Sequence, residues 1–442
     1  MQSSAPLRVL FVVDSRYWII ATEIREIMKH NAHIKGVLCS IPLLDELLDH
    51  APYLIENVDL VHFMVPVAGR RYLNRFLGRL PCVTTIHHIE PGYAPEDIPI
   101  NARADSIMVV AEMWRSELIS RGVSADQIVH VPNGVNTSVF RPSNLSERSR
   151  LRHSMGFSPD ETVIGFSGQP GRDHGWRKGL DVFMDALKIL AGDKRRIAVV
   201  VGGPGWEVVL EKVCAMGIKV YRRPYVFNVE DGAPMYRALD FYWVTSRIEG
   251  GPVPLLEAMS SGVCCISTKV GVAPEVIQNG VNGCLVEIED ATRIAALTSK
   301  LMDNREEREN MGREARSAIV SRYDWSKTSK QAPLLYDTAR RNFEQRHPSL
   351  SKRNTHPDAS HSAAIFAEAS HLDSGDILSP KDARWLEAQE QLSWGRQLCR
   401  MGERRAAFDL GWRAFLRHPF SLHAWSFLAN LILPRRDRKP SD

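Results

Sequence analysis

Residues Arg247–Gly283, RIEGGPVPLLEAMSSGVCCISTKVGVAPEVIQNGVNG, decide how this 442-residue chain is read. Seven residues separate Glu249 from Glu257, and among them Gly250, Gly251, Pro252 and Pro254 specify a tight turn that ends where a helix begins. Pro254 suits the first helical position, because the amide hydrogen it lacks would have no partner there. The apolar run Leu255, Leu256, Ala258, Met259 then predicts a short buried helix, stopped by Gly262 before a strand-like Val263–Thr268. A glycine turn feeding a helix start presents free amides and the positive end of the helix dipole, which together suit phosphate. Carboxylates only accept hydrogen bonds, so beside a phosphate site their natural partners are the hydroxyls of a ribose or a sugar. A sugar nucleotide satisfies all of this. Taken singly, Glu249 reads as a loop cap and Glu257 as a surface acid complementing the dipole; the pair, with the double glycine and following strand, points to a ligand.

The stretch resembles the E-x7-E signature of the family 4 glycosyltransferases, retaining enzymes of the GT-B fold. The resemblance runs on through Gly271, Pro274, Glu275 and the turn Asn279-Gly280-Val281-Asn282-Gly283. It implies transfer of a sugar from a nucleoside diphosphate to an acceptor hydroxyl with retention at the anomeric carbon. By the same resemblance, Glu257 holds the ribose hydroxyls, while Glu249 and the amides of Gly250 and Gly251 hold the donor sugar. The helix start at Leu255 and Leu256 would stabilise charge growing on the leaving diphosphate. No metal or other cofactor is expected, since no Asp-x-Asp pair is present to hold one.

Outward from this stretch, buried-strand patterns alternate with helical ones: Leu7–Val13, a helix to His30, Ile34–Cys39, Leu60–Val65, Arg71–Gly78, Cys82–Ile86 and Asp105–Val110. Such alternation predicts a parallel sheet covered on both faces, with ligands beyond the carboxyl ends of its strands. A second alternating region begins at Val163–Ser167 and continues through Ile197–Val201 and Phe241–Thr245. The fold class is therefore α/β, two doubly wound parallel-sheet domains facing across a cleft, with a small C-terminal helical segment. The expected divisions are 1–140, an acceptor-side domain; 141–325, a nucleotide-sugar domain; 326–345, a helix crossing back; 346–381, a linker; and 382–434, a helical segment.

Several strand ends carry further candidates. Family members usually have a glycine-rich loop after the first strand; here Asp14-Ser15-Arg16-Tyr17-Trp18 has no glycine. Arg16 either supplies by side chain what glycine amides supply elsewhere or is a plain surface arginine, and Tyr17 stands beside it on the acceptor side. His87 matches a family histidine that reaches the donor sugar, whereas His88 replaces the usual aspartate; alternatively the two histidines cap the strand. Lys178 matches a diphosphate-binding lysine, but Gln169 stands where arginine is usual. Glutamine cannot neutralise charge, so either Arg172 or Arg177 would have to compensate. The Gly202–Gly205 turn, with Gly203, lies either beside the nucleotide or serves only to connect strand to helix. Asn133-Gly134 marks the passage between domains, and Asp324-Trp325-Ser326 begins a predicted helix Ser326–Phe343.

A net charge of +4, without a basic track interleaved with aromatics, excludes a nucleic-acid partner and leaves at most peripheral contact with an anionic membrane. Seven cysteines without a C-x-x-C pair point to a reducing, cytoplasmic setting. No signal-peptide pattern is expected at the N-terminus and no segment suits a membrane span. The expected partners are the nucleotide-sugar donor and a glycan or lipid-linked acceptor. Leu398, Gly402, Ala407, Ala414, Pro419, Trp425, Leu428 and Ala429 fit either one and a half tetratricopeptide-like repeats or a generic helical hairpin. So short an array needs the enzyme body or a protein partner to cover it. Two other functions share the pattern: a sugar phosphorylase of the same fold, and a non-catalytic sugar-nucleotide-binding scaffold.

Overall fold

The computed structural model describes residues 6–14, 19–41, 58–90, 96–193, 195–203, 205–224 and 228–349, isolated positions at 44, 45, 48 and 226, and parts of 388–428. Two six-stranded parallel sheets dominate it. The first comprises β1 (Leu7–Val13), β2 (Ile34–Ser40), β3 (Leu60–Phe63), β4 (Cys82–Ile86), β5 (Ser106–Val109) and β6 (Ile128–His130), in spatial order β2-β1-β3-β4-β5-β6. Continuous apolar runs form these strands because helices cover both faces; Val9, Phe11, Val12 and Val13 are fully buried.

The second sheet comprises β7 (Thr162–Ser167), β8 (Ile197–Gly202), β9 (Lys219–Arg222), β10 (Phe241–Val244), β11 (Cys264–Thr268) and β12 (Cys284–Val286), in order β12-β11-β10-β7-β8-β9. β7 and β10 lie side by side and parallel, and the order in which strands are added across the sheet reverses between them. Connections leaving two adjacent strands in opposite directions open a crevice at their carboxyl ends.

The two passages between the domains run together. The amide of Val135 donates to the carbonyl of Tyr323 at 2.9 Å, and that of Trp325 to Val135 at 3.3 Å. A side chain at Gly134 would meet the Trp325 ring at 2.7 Å, so a glycine is required for the strands of this hinge to touch. The chain then returns to the first domain, where Ala332, Leu335, Tyr336 and Ala339 join its core. The predicted single helix Ser326–Phe343 is instead three pieces, Trp325–Thr328, a 3-10 turn Ser329–Gln331, and Ala332–Arg346. Pro333 explains the break: lacking an amide hydrogen, it sits in the first turn of the last piece. After β7, residues Arg172–Arg177 form a short helix.

At the C-terminal end, helix Arg404–Arg417 belongs to a small separate core of Leu392, Leu398, Ala407, Leu410, Ala414 and Phe427. Glu403 at its start pairs with Arg222 of the edge strand β9, tying this segment to the second domain. Gly402, Pro419, Trp425 and Ala429, and most of the linker 346–381, lie outside the described residues.

Candidate active site

The crevice between β7 and β10 brings the chemistry together. Lys178 follows the short helix after β7, and Glu249 follows β10. Gly179 adopts φ 62°, and a Cβ there would lie 1.9 Å from the Thr245 carbonyl oxygen. Only glycine allows that approach. The Thr245 hydroxyl completes the clamp by donating toward the carbonyls of Lys178 and Gly179 at 2.9 and 2.8 Å. Lys178 is thereby pressed against Glu249, with Nζ 2.5 Å from Oε1. The same carboxylate oxygen accepts from the Ser246 hydroxyl at 2.7 Å. Arg177 Nη1 stands 3.5 Å from its other oxygen.

Glu249 is buried, and burial, the largest single influence on its carboxyl, works to raise the pKa. The charges of Lys178 and Arg177, with the hydrogen bonds from Lys178 and Ser246, outweigh it and hold the carboxyl below its ordinary value. Of the two arginines that could stand in for the missing one at Gln169, Arg177 is the one seen beside Glu249. The backbone of Arg172 is helical, but its side chain lies outside the described residues.

Glu257 occupies the helix Val253–Ser260 and is also buried, where it accepts a 2.6 Å hydrogen bond from the Tyr236 hydroxyl. Burial pushes its carboxyl up to about 7, against the lowering effects of Tyr236 and the Arg223 charge. Unlike Glu249 it has no ion pair among the described residues.

At the helix start the two leucine side chains turn inward. Leu255 and Leu256 are fully buried, and the Leu255 amide donates to the Pro252 carbonyl at 2.8 Å. That amide is therefore engaged within the turn, because Pro252 and Pro254 tighten it into an i to i+3 bend. Leu255 and Leu256 anchor the helix in the core.

The first domain meets this loop directly. A Cβ on Gly250 would lie 2.3 Å from the His87 carbonyl oxygen, and one on Gly271 would lie 1.8 Å from the Gly250 carbonyl oxygen. Three backbone segments thus converge without side chains between them. Trp114 Nε1 donates to the Glu249 carbonyl at 2.8 Å, and the Glu112 amide donates to Glu275 at 2.7 Å, both across the domain boundary. His87 Nε2 lies 3.4 Å from Glu23. His88 Nε2 lies 3.8 Å from Glu90, which in turn lies 3.8 Å from Arg177. Burial, then the neighbouring Arg177 charge, pushes the His88 imidazole down to about 3, so it is neutral at ordinary pH.

Gly203 adopts φ 113°, with its would-be Cβ 2.3 Å from the Gly168 carbonyl oxygen. Its demonstrable part is to let the turn after β8 close on the turn after β7. Arg16 and Tyr17 lie outside the described residues. Sequence reasoning missed Ser246, Tyr236, Trp114, Glu23 and Glu90. Ser246 stands three residues before Glu249 and Glu90 two after His88, both within reach of a local reading; the other three come from separate elements with no spacing to betray them.

Comparisons with known proteins agree with this architecture. The family model described as Glycosyltransferase Family 4 matches residues 17–139, and that described as Glycosyl transferases group 1 matches residues 148–318. The chain is 27% identical to N-acetyl-alpha-D-glucosaminyl L-malate synthase of Bacillus anthracis over 64% of its length and 75% of the relative's. It is 26% identical to D-inositol 3-phosphate glycosyltransferase of Corynebacterium efficiens, covering 64% of this chain and 71% of that one. Among solved structures, Anabaena HepE in complex with UDP-glucose superposes with a TM-score of 0.63 at 18% identity, covering 75% of this chain and all of that one. Two parallel six-stranded sheets, each wound with helices, define a GT-B protein. More particularly, the chain carries glycosyltransferase family 4 and group 1 domains in tandem and is a glycosyltransferase dependent on a nucleotide sugar.

Proposed function

We propose that the protein transfers a hexose from a nucleoside-diphosphate sugar to an acceptor hydroxyl in glycan assembly, with retention at the anomeric carbon. The observation that carries this reading is the Glu249 carboxylate held between Lys178 and Arg177 at the β7/β10 crevice, directly beneath the His87 backbone. A donor entering there would exchange partners with that cluster. Its diphosphate takes the two cations, and its sugar hydroxyls donate to the freed acceptor sites of Glu249. His87 lines the sugar from the first domain, and Glu257 accepts from the ribose hydroxyls.

During transfer the bond from the anomeric carbon to the diphosphate oxygen breaks while the acceptor oxygen bonds the same face of that carbon. The departing phosphate takes the acceptor's proton. Lys178 and Arg177 neutralise the charge that develops on the diphosphate, so the reading requires no resident metal. A glycan or lipid-linked acceptor would enter beside His88; Arg16 and Tyr17 remain acceptor-side candidates on the sequence alone. Among the described residues no helix is long and apolar enough to cross a membrane. We infer a cytoplasmic enzyme, in at most peripheral contact with the membrane, whose tetratricopeptide-like C-terminal segment docks a protein partner.

Thermal-shift screening of UDP-, GDP- and ADP-sugars tests the donor. A ligand at about 100 times its dissociation constant should stabilise by about 2.7 kcal/mol. Release of nucleoside diphosphate that depends on an added acceptor supports transfer; turnover with inorganic phosphate in place of an acceptor would make the protein a phosphorylase.

A further inference from the structure

The helix Ile19–His30 buries Ile20, Ala21, Ile24 and Ile27 against the first sheet, and on the same buried side it carries a carboxylate, Glu23, only 3% exposed. Burying a carboxylate costs several kcal/mol unless a charge or hydrogen bonds compensate. The compensation here is sparse. Oε2 lies 3.4 Å from His87 Nε2, and Oε1 has no hydrogen-bond partner among the described residues.

The other polar groups nearby do not offer a charge. Tyr336, on the helix Ala332–Arg346, has its hydroxyl pushed up by burial first and by the Glu23 charge second, and so stays neutral. His62 of β3 is spoken for by Thr85 at 2.7 Å and Tyr336 at 3.2 Å, and burial, then the nearby His87, pushes its imidazole down to about 3. Among the described residues, His87 is thus the one neighbour whose ring can give Glu23 a proton to share. The retained carboxylate makes sense through what it does to that ring.

We propose that Glu23 is a positioning residue for His87. With the carboxylate facing Nε2, the ring proton sits on Nε2 and Nδ1 is left as an acceptor, because the hydrogen bond made by one ring nitrogen fixes the state of the other. His87 is then held from two sides: Gly250 packs on its backbone carbonyl and Glu23 orients its ring. The helix Ile19–His30 and the donor loop, which are far apart in the chain, jointly set where the imidazole stands. The inference rests on the reading that His87 faces the donor sugar.

The test is a double-mutant cycle on the full chain with Glu23→Gln, His87→Ala and the double variant. The donor is whichever of UDP-glucose and GDP-mannose the wild type turns over, and release of nucleoside diphosphate is followed. Glu23→Gln should lower kcat by about 10–100-fold, the range seen when an orienting partner is removed, with donor KM little changed. The double variant should be no slower than His87→Ala alone. Unimpaired Glu23→Gln beside an impaired His87→Ala overturns the positioning role and leaves the donor-site reading standing, as do fully additive losses. An unimpaired His87→Ala overturns both. Should Glu23→Gln fail to fold, isotope-labelled histidine in the wild type gives the answer by nuclear magnetic resonance: the Nε2–H tautomer is expected for His87, and Nδ1–H overturns the proposal.

Discussion

The two sheets are built alike and hold their halves of the cleft differently. In the second domain the site lies on the point where the order of strand addition reverses, between β7 and β10, and Glu249 has two cations and a hydroxyl around it. In the first domain His87 follows β4, two strands away from β1, and its ring faces Glu23 across a long 3.4 Å contact. One face is organised by charge and by glycine turns that let backbones touch. The other is organised by burial. Charge holds the Glu249 half in place, whereas the histidine half depends on the packing of the elements around it.

The largest effect should come from breaking the charged half. Glu249→Gln or Lys178→Ala should cost about 10²–10³-fold in kcat, the scale of removing a group that stabilises developing charge. Arg177→Ala should cost less than Lys178→Ala, since its contact is longer. Steady-state rates of nucleotide release decide this; equal losses for all three would mean that the arginine carries as much of the diphosphate as the lysine.

Joining the halves is the next test. Gly250→Ala puts a methyl group 2.3 Å from the His87 carbonyl oxygen, and backbone cannot move aside as a flexible side chain would. The expected result is a loss of kcat about tenfold or more, since misplacement by an ångström costs up to about a hundredfold, with the melting temperature lowered. Full activity would mean that the two faces close over one another only after some rearrangement.

Glu257 offers a pH test within the second domain. Its carboxyl is raised to about 7 by burial, above the ordinary value of 4.5. Between those values the folded protein binds more protons than the unfolded chain, so its contribution to stability falls as pH rises through that window. The size is on the order of 3 kcal/mol. Melting temperature should decline between pH 5 and 7 in the wild type and decline less in Glu257→Gln. Tyr236→Phe removes the hydrogen bond that favours the ionised form, so it should steepen the decline.

The smallest effect belongs to a contact across the boundary. Trp114→Phe keeps the ring packing but removes the 2.8 Å hydrogen bond to the Glu249 carbonyl. Denaturant unfolding should register about 1 kcal/mol, with donor KM rising slightly. A much larger loss would show that the boundary, rather than the charge cluster, holds the donor loop.

The sequence by itself determined the parts of this protein that are written in short spacings. Glycine and proline fix a turn through local backbone energetics, and apolar runs of strand length fix buried parallel strands. The two-sheet fold and the loop holding Glu249, Gly250, Gly251 and Glu257 were therefore legible before any coordinates. What only the tertiary structure decided is which side chains face one another. Tyr236 reaches Glu257 across 21 residues, Glu23 reaches His87 across 64, and Trp114 reaches the Glu249 carbonyl across 135. Arg177 stands beside Glu249 because Gly179 lets the chain press against Thr245. The Leu255 amide turned inward to Pro252 for a comparable reason. Such pairings depend on strand order and on where glycines permit contact, and neither is encoded in the residues that end up paired.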